Sequence, residues 1–267
     1  MASDFMKHLA EMKELLDGKG PFKDLHNFLH TEQNLHRCEP FEILNQKYVA
    51  LYRQYADLYA ELTQGLEEKA VRVEYAKGGE TLHRGYYSPS VADLHVGGAS
   101  RGRLLKRTPK DDRFDYRYLF DAEDKMLCAC KYASFGDERV LYLTKVFLYQ
   151  GDKVLTLSYE SKYRELTVIT ECLYENAKLL RYEYASLTPA LRTDSCNQID
   201  VEELSYENGL MRILEGYHYR PELHSLDHCR LTFERDADGF LSAYTFEEFD
   251  AFVQRPPQKY PVLVKRK

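Results

Sequence analysis

From about residue 114 to residue 250, apolar and polar side chains alternate with a period of two. Turn-forming residues interrupt that alternation at intervals. Such alternation is the mark of strands that bury one face. The sharpest segment is Val201–Tyr217, which carries Asn208-Gly209 between two alternating runs. Asn-Gly suits a two-residue type I′ turn, because both central residues need positive φ. With those two as the loop, Glu207 closes against Leu210, Tyr206 faces Met211 and Leu204 faces Ile213. That register places Leu204, Tyr206, Met211 and Ile213 on one apolar face. Glu203, Ser205, Arg212 and Leu214 fall on the more polar one.

Looser copies recur. Phe147–Leu155 turns at Gly151-Asp152, and Cys172–Leu180 turns at Asn176-Ala177. Tyr118–Leu127 and Leu231–Leu241 have longer turns at 121–125 and 236–240. The aromatic ahead of each turn falls at 120, 149, 174, 206 and 233. Five hairpins in succession predict an antiparallel meander of roughly ten or more strands. Val71–Tyr75 and Thr81–Tyr87, across Gly78-Gly79, predict one further hairpin upstream. The tail from residue 253 carries Pro256, Pro257 and Pro261, which bar it from a central position in a sheet.

The first part of the chain changes period. Phe5, Leu9, Met12 and Leu16 predict a helix over 4–17, and a second short helix starts near Pro21 with Phe22, Leu25 and Leu29. The longest stripe runs from about Pro40 to Gln64, through Phe41, Leu44, Tyr48, Leu51, Tyr55, Leu58 and Leu62. A stripe that wide must bury against something, and the apolar face of the hairpin sheet is the partner it predicts. The expected fold is therefore α+β, mainly β. Helices in 1–68 pack on a twisted antiparallel sheet in 69–267, curled around the long helix.

Composition narrows the function classes. A net charge of −6 argues against nucleic acid as the main partner. No apolar run approaches membrane-span length and the first residues have no signal-peptide core, so the expectation is a cytoplasmic protein without a membrane partner. In that compartment Cys38, Cys128, Cys130, Cys172, Cys196 and Cys229 are expected to be reduced and mostly buried, with Cys128 and Cys130 on one face of a strand.

The hairpin units, above all Asp236-Ala-Asp-Gly-Phe-Leu241, resemble the YD (RHS-type) repeat, whose units run aromatic-Asp-x-x-Gly-x-Leu. Asp121–Asp124 lacks the glycine, and the remaining units have shorter turns. The resemblance spans about 114–250. It implies a scaffold or partner-binding role of the kind found in toxin and antitoxin systems.

Chemical motifs are sparse. Val96–Lys110 is rich in glycine and arginine. Arg101, Arg103, Lys106, Arg107 and Lys110 form a candidate contact for an acidic partner or an anion. The stretch lacks the Gly-Lys-Ser/Thr ending of a phosphate loop. His26 and His30, and likewise His224 and His228, have i,i+4 spacing that can contribute to a metal site. Without the three or four ligands such a site needs, no metal and no cofactor is expected. No nucleophile or acid/base motif emerges, and catalysis is not the expectation. The expected function is a non-enzymatic protein-binding module of an immunity- or antitoxin-like kind, with another protein as partner. The alternative is a barrel-like ligand carrier or hydrolase with its pocket between helix and sheet.

Overall fold

The computed structural model describes residues 23–81, 102–109, 113–135, 138–188, 194–249 and 255–262. Among the described residues four helices come first: α1 (Lys23–Leu29), α2 (Glu32–Tyr55), α3 (Tyr59–Thr63) and α4 (Leu66–Lys69). The strands β1 (Arg72–Lys77), β2 (Arg103–Leu104), β3 (Tyr116–Phe120), β4 (Met126–Phe135), β5 (Glu138–Gln150), β6 (Lys153–Glu160) and β7 (Glu165–Glu175) follow. The series continues with β8 (Lys178–Ser186), β9 (Gln198–Glu207), β10 (Leu210–Arg220), β11 (Ser225–Arg235), β12 (Leu241–Glu248) and β13 (Gln258–Pro261). All thirteen belong to one antiparallel sheet in the order β13 to β3, then β1 and β2.

The five expected hairpins are present as β3–β4, β5–β6, β7–β8, β9–β10 and β11–β12. At the sharpest turn Asn208 and Gly209 adopt φ of 51° and 81°, as a type I′ turn requires. The proline-bearing tail forms β13, an edge strand, where a missing N–H donor costs least. The hairpin expected at 71–87 is corrected. β1 pairs with β3 and, at Ala76 and Lys77, with β2, while Thr81 lies outside any strand and 82–87 fall outside the described residues. The helix expected at 4–17 also falls outside them.

The long helix starts eight residues before Pro40 and carries that proline in its interior. Thr31 caps it, accepting a hydrogen bond from the Asn34 N–H at 3.3 Å. It ends at Tyr55, whose carbonyl oxygen accepts from the Tyr159 hydroxyl at 2.7 Å. The chain then breaks into α3 and α4, with Gly65 left-handed between them at φ 70°. Phe41, Tyr48 and Val49 of α2 pack on Leu155, Leu157, Ile169, Ala185, Ile199, Val201 and Tyr219 of the sheet. Beneath them Glu183, only 5 % exposed, accepts from the Tyr48 hydroxyl and from Lys47 Nζ, both at 2.7 Å, and from Arg181 Nε at 2.6 Å.

Helix packing on the sheet was expected, but the face is the opposite one. Arg212 is an extra residue in β10, so Ile213 pairs with Ser205 and Leu214 with Leu204. A bulge of one residue exchanges the two faces of everything beyond it. Leu204, Tyr206 and Met211 lie ahead of the bulge and join Val154, Cys172 and Tyr182 in a second cluster, turned away from the helix, while the bulge takes Ile213 off that face and puts Leu214 on it. β6 sits between the two layers, and its six residues from Val154 to Tyr159 are all buried. The sheet does not curl around α2. It curves the other way, so that side chains from ten strands, β3 to β12, line one cavity on the face opposite the helix.

Candidate functional site: the concave face of the sheet

The cavity has a volume of about 710 Å³. Its lining follows from strand register, because residues paired across an antiparallel ladder share a face. One row reads Tyr184, Asp200, His218, Asp227 across β8–β11. The next, one pleat along, reads Tyr182, Glu202, Gly216, Cys229, Glu248 across β8–β12. The row beyond is wholly apolar, Leu204, Leu214, Leu231, Phe246, and its first three members are at most 5 % exposed. The concave face is therefore graded. Toward the hairpin turns of β9–β10 it is packed like an ordinary core, and toward the opposite strand ends it becomes acidic and open.

Polar groups on this face are held in definite orientations. Asp200 accepts from Gln198 Nε2 at 2.6 Å and lies 2.5 Å from His218 Nδ1. The Arg220 Nε–H donates to His218 Nε2 at 3.0 Å, so the imidazole proton belongs on Nδ1, pointing at Asp200. Across the cavity Lys145 Nζ meets Glu80 at 2.8 Å, and the Tyr118 hydroxyl receives hydrogen bonds from Thr81 N–H and Oγ1, both at 3.2 Å. Five carboxylates line the space, Glu80, Asp200, Glu202, Asp227 and Glu248, against one ammonium. Burial first, then Glu202, Glu215 and Glu248, push the Cys229 thiol up to about 11. Burial likewise raises the Tyr182 hydroxyl well above its ordinary value. Both groups are protonated at neutral pH. Gly216 lets the Cys229 side chain lie against the backbone of β10: a Cβ there would meet Cys229 Sγ at 2.9 Å.

Of the described residues singled out from sequence as site candidates, only His228 is among those that line the cavity. Arg103 is exposed on β2, Lys106 and Arg107 are exposed in the bend after it, and none of the three lines the cavity. Arg101 and Lys110 lie outside the described residues. The two histidine pairs are regrouped. His30 packs edge-on against His224 with ring centres 6.1 Å apart, whereas His228, part of the cavity lining, stacks between Tyr217 and Phe249, its Nε2 2.9 Å from Glu215. The His26 side chain is not among those described. Among the described residues no three His, Cys, Asp or Glu side chains gather around a common point where a metal ion could sit. Asp200, Glu202, His218 and Gly216 were not singled out by sequence reasoning. Their one signal was polar or missing side chains at alternate positions of a strand whose other positions are apolar. The cavity of about 710 Å³ lies on the face opposite α2, and a more open pocket flanks α2 itself, lined by His30, His36, Cys38, Glu42 and His224.

No protein-family model matches the chain, and no curated protein does. Among solved structures it is similar to a porin-like protein from Bacteroides vulgatus, at 10 % identity and a TM-score of 0.35, over 74 % of this chain and 99 % of that one. No helix among the described residues is long and apolar enough to cross a membrane.

Proposed function

We propose that the chain is a binding protein that holds a small organic molecule against the concave face of its sheet. The observation that carries this is the cavity of about 710 Å³, within the range of roughly 300–1,000 Å³ usual for ligand pockets. Tyr184, Phe147 and Phe246 supply aromatic wall for an apolar body. Asp200, Asp227 and Glu248 are acceptor-only when ionised, so the fitting ligand is rich in hydrogen-bond donors, whether hydroxyl or ammonium. Binding without turnover is favoured because Cys229 stays a thiol and both ring nitrogens of His218 are engaged. These leave no activated nucleophile or free base among them.

Native mass spectrometry of the protein equilibrated with a metabolite extract tests this. A stoichiometric small-molecule adduct is expected in the wild type. Thr170→Phe, which projects a ring into the cavity from β7, should lose the adduct while keeping its fold. If the wild type retains no small molecule, the carrier reading fails. The hairpin repeats are then better explained as a surface for a protein partner, the role that an immunity- or antitoxin-like module would have.

A further inference from the structure

A second site lies on the other side of the sheet, near its opposite end. Cys128 and Cys130 share one face of β4, and their sulfur atoms are 3.7 Å apart. With Leu119 they form a small core of their own, covered by Leu66 and Ala70 at the two ends of α4. Both are buried, at 2 % and 8 % exposed.

A disulfide between them is disfavoured by the strand itself. Residues i and i+2 of a strand sit roughly 6.6–6.8 Å apart with Cβ atoms pointing the same way, whereas a disulfide brings Cβ atoms to about 3.8 Å. β4 is hydrogen-bonded to β3 on one side and β5 on the other, so it cannot pucker to close that gap. An atom bridging the two sulfurs needs no such movement. With a thiolate bond of about 2.3 Å, sulfurs at 3.7 Å subtend an angle of roughly 110° at a shared centre. Linear two-coordination would need the sulfurs to be almost an ångström further apart. Four-coordination would need protein donors that no side chain among the described residues supplies.

We propose that Cys128 and Cys130 form a bidentate thiol site for a soft, three-coordinate centre that brings its own third ligand, of which a monosubstituted trivalent arsenical is the type. The reaction is a condensation without change of oxidation state. Two As–O bonds break, two As–S bonds form, and the two thiol protons leave with the displaced oxygens as water. The product carries no charge, which suits a site this buried, where an isolated ion would be costly. The hydrogen bond between the two sulfurs, against burial and helped by the nearby Arg117 charge, lowers the Cys130 thiol from its ordinary value and readies it to attack first. Entry requires α4 to lift. α4 is a single turn with no buried residue of its own, pinned by the Arg117–Glu67 ion pair, and such a turn belongs to the easily opened part of a fold.

The test titrates the native, reduced protein with phenylarsine oxide. One phenylarsenic group per chain is expected by intact mass. It should persist against excess glutathione, a monothiol, and be removed by dithiothreitol. Cys128 and Cys130 should be the two thiols protected from alkylation, and arsenic X-ray absorption should show two sulfur neighbours. Cys130→Ser should weaken uptake on the order of a hundredfold or more, because one sulfur loses the chelate advantage, while Cys172→Ser should not change it. The wild-type mapping stands even if a variant fails to fold. Absence of uptake by the folded protein, protection of other cysteines, or wild-type uptake no stronger than that of Cys130→Ser would overturn the proposal.

Discussion

The two faces of the sheet are built from the same strands but finished differently. On the helix side the central carboxylates are closed off. Glu183 is satisfied by Lys47, Tyr48 and Arg181, and Tyr219 donates to Glu42 of α2. On the concave side only half the surface is packed, and the other half presents carboxylates to an open space. One face is a structural seam and the other a surface kept available. A protein of this size gains enough from one well-filled interface to leave a second one open.

The largest effect should come from placing the same charge on either side of a single strand. Ile169 is wholly buried under α2, and its neighbour Thr170 faces the cavity. Ile169→Asp puts an unpaired carboxylate into a dry contact at a cost of several kcal/mol. Circular dichroism should show an unfolded or aggregated protein. Thr170→Asp should fold, with its carboxylate solvated in the cavity. Equal damage from both substitutions would mean that the concave face is as closed as the convex one.

Next in size is the buried ion network. Glu183→Ala leaves the buried Tyr48 hydroxyl without its acceptor, while Lys47 keeps Glu171 and Arg181 keeps Glu203, and is expected to cost about 1–3 kcal/mol in urea unfolding. Glu183 also gives the seam a pH dependence. Burial alone would raise its pKa, but the hydrogen bonds from Lys47 and Tyr48, with that from Arg181, win and lower it below its ordinary 4.5. A carboxyl whose folded pKa is depressed stabilises the fold fully above its unfolded pKa and loses that contribution as pH falls through the folded value. The stability gap between wild type and Glu183→Gln should thus be widest at neutral pH and narrow on acidification through that range. A gap that stays constant would show that Glu183 does not titrate with folding.

The pattern of legible and illegible features follows from what each depends on. Turns are local, so Asn208-Gly209 and Asp236–Phe240 announce themselves in the sequence and fall where expected. The helix stripe is local too, and Phe41, Leu44, Tyr48, Leu51, Tyr52, Tyr55 and Leu62 do reach the sheet. The face they reach is not local. It is set by which faces β6 to β9 bury together, through Leu157, Ile169, Ala185, Ile199 and Val201, and the extra residue in β10 adds an exchange of Leu214 for Ile213 that nothing in Leu210-Met-Arg-Ile-Leu214 announces. The site was hidden for a related reason. Asp200 and Glu202 alternate with Ile199 and Val201, and such a strand ordinarily turns its acids to water. Only the curvature of the whole sheet, a property of thirteen strands together, converts that outer face into an enclosure.

The smallest effect separates two turns that differ by one methyl group. β9–β10 turns through Asn208 and Gly209 at φ 51° and 81°, and β7–β8 turns through Asn176 and Ala177 at φ 49° and 61°. Both are type I′, so both second positions are left-handed. Glycine adopts that conformation freely, whereas an L-alanine Cβ crowds the following carbonyl at a cost of roughly 1–2 kcal/mol. A Cβ on Gly209 would find nothing within 4 Å, so the turn residue there acts through backbone conformation alone. Gly209→Ala should therefore destabilise by about 1 kcal/mol. Ala177→Gly should stabilise by somewhat less, about 0.5–1 kcal/mol, because the added glycine also loosens the unfolded chain. For a chain of this length that corresponds to a rise in Tm of about 1–3 °C, readable by calorimetry. If Ala177→Gly instead lowers Tm, Ala177 is held left-handed by contacts worth more than its strain. The β7–β8 turn would then be set by its packing against neighbouring strands and not, as at Asn208-Gly209, by its own two residues.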